Sequence, residues 1–398
     1  MRISSLMVFN QSSTSISKQQ SEFLTIGQKM ASGKRMLTPS DDPQAATQAL
    51  GISQSKAITE QFADARLSAT NALSLQENML SGVTDVMVKT KALMVQAANI
   101  TLNDSDRTSI AAELRGVLGT VLGHANSTDG NGNFLFGGYQ DNSTPFVEDA
   151  FGAVAYVGDS NDRQVRTDSS RLMKVANSGD SIFQSVQSGA GYLAEANAGN
   201  SGSVTFEGPN IVDATDVGFG SAYDVEFSVA GTTTTYSING GAAVAYLPGE
   251  VVSFGGLSVV FDGVPADGDS FTIDKASEMN SDIFATFEKI ITALENPTQT
   301  DAEKANLSNT ISTTMRKFDN SVDNILTMRA STGARLNELE AVDIAGENKM
   351  LTYDKTLSEL VDLDYTKAIS EYSMRQVGLQ AAQKTFVDLS KLSLFNLI

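Results

Sequence analysis

Apolar side chains recurring every seven residues restrict this chain's fold more than any other feature. Ala72, Met79, Val86, Leu93 and Ile100 stand seven apart, and Leu73, Leu80, Met87 and Met94 take the same step one residue later. A repeat of seven keeps such residues on one helical stripe. The last third mirrors the first. Ile311, Phe318 and Ile325 are seven apart with Met315 and Val322 between them. After an interruption near "RASTGAR" the register returns as Leu336, Leu339, Met350, Tyr353, Leu357 and Leu360. A further helix is expected over "NDSDRTSIAAELRGVLGTVLGHAN", capped by Ser105 or Asp106, with Ile110, Leu114, Val117, Leu118, Val121 and Leu122 on one stripe. Its Gly116, Gly119 and Gly123 suggest close helix packing or a weak end.

Glycine and proline separate these helical ends from the middle. Of 32 glycines, 7 lie in residues 1–124, 22 in 125–275 and 3 in 276–398. No proline occurs in 44–144 or after Pro297. The middle carries strand signals instead: "YDVEFSVAGTTTTYSING" alternates around a Gly-Thr turn, and "GLSVVFDGVPADGDSFTID" alternates on either side of "GVPADGD". The expected fold is mainly α, an antiparallel bundle formed by the N- and C-terminal segments, with a small β-rich domain inserted over residues 186–275. That middle is also the acidic part, with 19 acidic and 5 basic side chains in residues 125–275.

The stretch "GKRMLTPSDDPQAATQAL" is a stop and a restart. Gly33 is placed to end a first helix, and Lys34 and Arg35 just beyond it meet the negative end of its dipole. Thr38 before Pro39 is pushed extended. Asp42 caps a second helix that has Pro43 at its first position, where a missing N–H does no harm. Lys34, Arg35, Asp41 and Asp42 read either as locally solvated charges or as partners across subunits.

Before this hinge Phe9, Ile16, Phe23 and Met30 stand seven apart, and near the other end Tyr365, Tyr372, Leu379 and Phe386 do the same, followed by "LSLFNLI". Both termini thus read as amphipathic helices with an open apolar seam. Burying one seam does not offset the entropy of ordering two lone helices. These helices need neighbours on several sides, which an assembly of many copies supplies.

The inventory excludes several classes. A formal charge of −19 disfavours nucleic acid and anionic membranes as partners. The absence of cysteine rules out disulfides and thiolate chemistry, and a single histidine, His124, rules out a multi-histidine metal site. No GxSxG elbow accompanies His124, which reads as a cap or a surface residue. "DGNGNF" starts like a calcium loop at Asp129, Asn131 and Asn133, but Phe134 stands where glycine is needed and Gln140 where glutamate is, so it reads as a turn. No enzyme activity and no cofactor are expected. The N-terminal segment has no apolar run or cleavage site of a secretory signal, and no stretch approaches a membrane span.

Four stretches carry a resemblance: "SGKRMLTPSDDPQAA", "STDGNGNFLFGGY", "MRASTGARLNELE" and "DYTKAISEYSMRQVGLQAAQKTFVDLSKLSLFNLI". Through them the chain resembles the bacterial flagellin family. The start "MRISSLMVFNQ" and the end "LSLFNLI" are similar to its hook-associated junction branch rather than to the filament subunits. The likeness covers residues 1–185 and 276–398 and matches the inserted middle only loosely.

It implies that residues 1–50 and 358–398 are terminal helices forming an inner tube and disordered in the monomer. Residues 51–185 and 276–357 would form a helical rod with short β-hairpins, and 186–275 an outer β domain. It implies an extracellular structural adaptor between hook and filament, in a helical ring of copies that meets a neighbouring hook-associated protein and flagellin. It also implies flagellar type III export without a cleaved signal, and a cytosolic chaperone on the C-terminal seam, where Leu389, Leu392, Leu394 and Phe395 extend the series. A filament subunit, or an adhesin acting through the β insert, are the other readings.

Overall fold

The computed structural model describes residues 5–99, 101–150, 152–187 and 189–395, with side chains described from residue 7 to 388. Ile100 and the side chains of Leu389, Leu392, Leu394 and Phe395 lie outside the described residues. Three helices open the chain: α1 (Ser5–Ser32), α2 (Pro43–Ala97) and α3 (Asp104–Ala125). Two short hairpins follow, β1 (Phe146–Glu148) with β2 (Val154–Tyr156), and β3 (Gln164–Asp168) with β4 (Arg171–Lys174). After one helical turn, α4 (Gly179–Phe183), come β5 (Tyr192–Ala196), β6 (Thr205–Ile211), β7 (Tyr223–Ala230), β8 (Thr233–Ile238), β9 (Val244–Ala245), β10 (Val251–Phe254), β11 (Leu257–Asp262) and β12 (Ser270–Lys275). Helices α5 (Ile283–Glu295), α6 (Asp301–Val361) and α7 (Tyr365–Phe395) complete the fold. The chain is mainly helical with a small β-rich insert, and it divides into two compact units, residues 1–64 with 341–398 and residues 65–340.

In the central unit the heptads become a core. Along α2 Ala69, Leu73, Gln76, Leu80, Val83, Met87, Thr90, Met94 and Ala97 are buried at alternating steps of four and three, with Arg66 and Leu93 buried beside them. Every member of the second predicted series is therefore enclosed, while in the first Leu93 is buried and Ala72, Met79 and Val86 are half-buried. Ile311, Phe318 and Ile325 of α6 and Phe284, Phe287 and Ile290 of α5 join the same core. The Phe287 and Phe318 rings stand 4.7 Å apart.

Several local expectations change. Helix α3 is capped by Asn103, not by Ser105 or Asp106: the Asn103 side chain accepts from the Asp106 N–H at 2.9 Å, and the Asp106 carboxylate accepts from the Asn103 N–H. Gly116, Gly119 and Gly123 do not mark close packing, since a Cβ at any of them would meet nothing within 4 Å. His124 packs its ring against Gly82 of α2, where an added Cβ would stand 2.9 Å from the imidazole. Helix α6 runs through "RASTGAR" without a break. The apolar repeat lapses there because Arg329 donates to Glu77 at 2.7 and 2.9 Å and Arg335 donates to Asn177 at 2.9 Å.

The insert is two sheets, ordered β5-β12-β7-β8-β9 and β10-β11-β6. Phe206, Val225, Phe227, Phe261 and Phe271 fill the core between them. Strands β7 and β8 form the hairpin read from the Gly-Thr turn. Strands β11 and β12, which flank "GVPADGD", fall in different sheets, so that link crosses the sandwich.

Candidate assembly surfaces

Backbone geometry explains each residue of the hinge. Gly33 has φ +69°, a left-handed conformation that ends α1 without a Cβ penalty. Its carbonyl accepts from the Leu363 N–H at 2.9 Å, and the Arg35 N–H donates to the Val361 carbonyl at 2.8 Å, so the exit of α1 is tied to the end of α6. Asp41 accepts from the Leu37 and Thr38 N–H groups at 2.8 and 3.2 Å. These donors hold its carboxyl below the usual range. Asp42 accepts from the Ala45 N–H at 3.1 Å and lies 3.5 Å from Arg35, and Pro43 opens α2. Lys34 pairs its backbone with that of Asp362, and Pro39 is exposed. Both aspartates are thus engaged within their own segment.

The two terminal seams face each other in antiparallel register. The Phe9 and Phe386 rings stand 5.2 Å apart, and those of Phe23 and Tyr372 4.6 Å. The Tyr365 hydroxyl donates to the Met30 carbonyl at 3.2 Å. Each seven-residue step along α1 is matched by seven residues back along α7, with Ile16 and Leu379 half-buried between the outer pairs. Arg375 pairs with Glu22 on the flank.

This pairing does not make a core. Phe9 remains 52% exposed and Tyr365 50%. Ala368 is the one buried side chain of α1 and α7 among the described residues. Met7 and Leu24 of α1 and Ile369, Met374 and Val377 of α7 form further exposed apolar positions. Exposed apolar side chains gathered on two paired helices are the kind of feature found at interaction surfaces.

The stretch "STDGNGNFLFGGY" builds a knot in the central unit. Leu135 and Phe136 are buried, and the Tyr156 hydroxyl joins the Phe136 and Asp159 carbonyls at 3.0 and 2.8 Å. Gly138 has φ +65°, and a Cβ there would lie 2.2 Å from the Asp159 carbonyl oxygen. Asp129 accepts from the Asn131 and Asn133 N–H groups at 2.8 and 2.9 Å, the turn expected of it. Among the described residues no group of three or more acidic, histidine or cysteine side chains is arranged to hold a metal.

Sequence reasoning missed how the insert is seated. One face of α6 buries Asn309, Thr313, Lys317, Asn320 and Asn324. Asn309 accepts from the Phe206 N–H at 3.2 Å and donates to the Val204 carbonyl at 2.8 Å. Thr313 donates to the Ala194 carbonyl at 2.7 Å and Arg316 to the Pro209 carbonyl at 2.6 Å. The helix thus satisfies edge strands of both sheets. Glu195 of β5 meets Lys289 and Lys317. Burial pushes its carboxyl up, but the two lysines outweigh that and hold it below the ordinary range.

Comparison with known proteins agrees with these features. Residues 3–141 match the bacterial flagellin N-terminal helical region. Flagellar hook-associated protein 3 of Escherichia coli K12 is 33% identical over 398 residues, all of this chain and 99% of that protein. The crystal structure of Xanthomonas campestris FlgL superposes with a TM-score of 0.67 and 32% identity, covering 77% of this chain and 99% of that one. The flagellar junction protein FlgL from Legionella pneumophila superposes with a TM-score of 0.66 and 26% identity, covering 79% and 100%. A paired but coreless set of terminal helices, a hinge built from "SGKRMLTPSDDP" and this full-length likeness place the chain in the flagellar hook-associated protein 3 (FlgL) family.

Proposed function

We propose that this chain is a structural adaptor of the bacterial flagellum, outside the cell, joining the hook to the flagellin filament without catalysis or cofactor. The observation that carries the mechanism is the pair of terminal helices, which meet along one seam and leave their other apolar positions exposed. Residues 1–50 and 358–398 gain their remaining neighbours only when copies associate in a helical ring, so folding of the termini and assembly are one event. The Gly33–Pro43 hinge lets the terminal helices take up that packing, with Lys34, Arg35, Asp41 and Asp42 available to neighbouring copies once local pairs open. A neighbouring hook-associated protein covers one end of the ring and flagellin the other. Before export, which uses no cleaved signal, a cytosolic chaperone covers the C-terminal seam.

The test is a strain lacking this protein. It is expected to carry bare hooks and to release unpolymerised flagellin into the medium. Cells that lack filaments and release no flagellin would instead assign this chain to the filament itself. Amide exchange on the dilute monomer checks the mechanism separately: residues 1–50 and 358–398 are expected to exchange freely, and strong protection there would refute coupled folding.

A further inference from the structure

One dipeptide occurs twice in the β-rich middle of the chain, as Asn131-Gly132 and as Asn239-Gly240. Asparagine before glycine can react with its own main chain. The glycine nitrogen attacks the side-chain carbonyl carbon, the amide nitrogen leaves as ammonia, and a five-membered succinimide closes. Water then opens the ring at one carbonyl or the other, leaving aspartate or isoaspartate. Glycine favours this because no Cβ shields its nitrogen. The fold decides the rest, since the asparagine side chain must be able to swing over that nitrogen.

The two sites differ in that freedom. Asn239 is clamped at the β8 end of its hairpin: its Oδ1 accepts from the Asp224 N–H at 2.7 Å, its Nδ2 donates to the Ala222 carbonyl at 3.2 Å, and its own N–H donates to the Asp224 carbonyl at 2.8 Å. Turning the side chain toward Gly240 breaks both side-chain bonds. Asn131 is exposed, and its side-chain amide has no partner among the described residues. Gly132, at φ +89°, has no neighbouring heavy atom within 4 Å of where a Cβ would stand, so no other segment is packed over that side of the turn. Its N–H makes a single bond of 3.1 Å, to the Asp129 carbonyl.

We infer that Asn131 is a site of spontaneous deamidation in the folded protein, and that Asn239 is protected by its clamp. The product places a carboxylate next to Asp129. In its isoaspartate form it also adds a main-chain carbon inside a loop whose ends are tied by the Asp129 N–H to the Asn133 carbonyl at 2.8 Å and the Leu135 N–H to the Ser127 carbonyl at 3.0 Å. That loop leads into the buried Leu135 and Phe136, so conversion loosens the knot around Gly138. A chain built into a long-lived extracellular structure would carry this change as a record of its age.

The experiment incubates the full chain in warm neutral buffer, natively and in denaturant, and follows both sites by peptide mass mapping, with isoaspartyl methyltransferase as the probe for isoaspartate. Natively, Asn131 is expected to convert at least about tenfold faster than Asn239, because reaction at Asn239 waits on local opening. In denaturant the two rates converge. Equal native rates, an intact Asn131, or a difference that persists in denaturant would each overturn the inference. An Asn131→Gln variant is expected to lose most of the native methyltransferase signal, and an undiminished signal would point to another site and sink the assignment.

Discussion

The helices of the terminal unit and those of the central unit carry apolar repeats of the same period, yet only the central ones are buried. Leu80, Met87 and Phe318 are fully enclosed, while Phe9 and Tyr365 stand half open to water. All three hydrophobic clusters among the described residues fall between residues 69 and 339. The difference lies in the number of neighbours. Helix α2 shares its core with α3, α5 and α6, whereas α1 and α7 have chiefly each other. A seven-residue repeat therefore specifies a helix and a seam, and the partners available decide whether the seam becomes a core.

The sharpest way to break this contrast is to truncate one aromatic in each unit. Phe318→Ala, which removes a fully buried ring tilted against that of Phe287, is expected to destabilise the central unit by about 3–5 kcal/mol in denaturant unfolding. Asn309→Ala leaves the Phe206 N–H and the Val204 carbonyl without their partner and is expected to lower stability by about 1–3 kcal/mol, with faster amide exchange in β6. Gly138→Ala meets both a left-handed backbone and the Asp159 carbonyl, and about 1–3 kcal/mol is expected, read as a lowered Tm.

Acid sharpens the comparison from another side. The Glu195 carboxyl is held below its ordinary value in the folded state, so its stabilising contribution is complete above the unfolded carboxylate value and fades as pH falls through the lowered folded value. Protease sensitivity of the links to the insert is expected to rise in that acidic window, and Glu195→Gln should remove this step. The smallest effect belongs to Phe9→Ala, expected to change monomer stability by less than about 0.5 kcal/mol because the side chain is half exposed. In the same variant assembly is expected to fail, by sedimentation and by loss of filaments in cells. A monomer destabilised as much as by Phe318→Ala would show that the terminal pair has a core after all.

Much of the hinge was legible because its signals are local. Gly33 ends a helix and Asp42 with Pro43 starts one through bonds that span a few residues. The antiparallel facing of Phe9 with Phe386 and of Phe23 with Tyr372 was implicit in two repeats of equal period. The interrupted register at "RASTGAR" is legible in the sequence, but a lapse in apolar residues looks the same whether a helix breaks or turns that face to polar partners, and only the structure shows α6 continuing through it. The α3 cap was misplaced by two or three positions because Asn103, Ser105 and Asp106 are all good caps, and only the closed Asn103–Asp106 pair selects among them.

The sequence by itself determined that the two ends are helical, that the acidic middle is β-rich, and that both termini carry apolar residues at a helical repeat, because periodicity, glycine and proline act over single turns of chain. The tertiary structure alone decided that Asn309, Thr313 and Lys317 lie buried beneath the insert and that the two sheets split between β11 and β12. A polar side chain reads as solvent-facing until a distant strand supplies the backbone group it bonds, and that partner is set by chain folding rather than by neighbours in sequence.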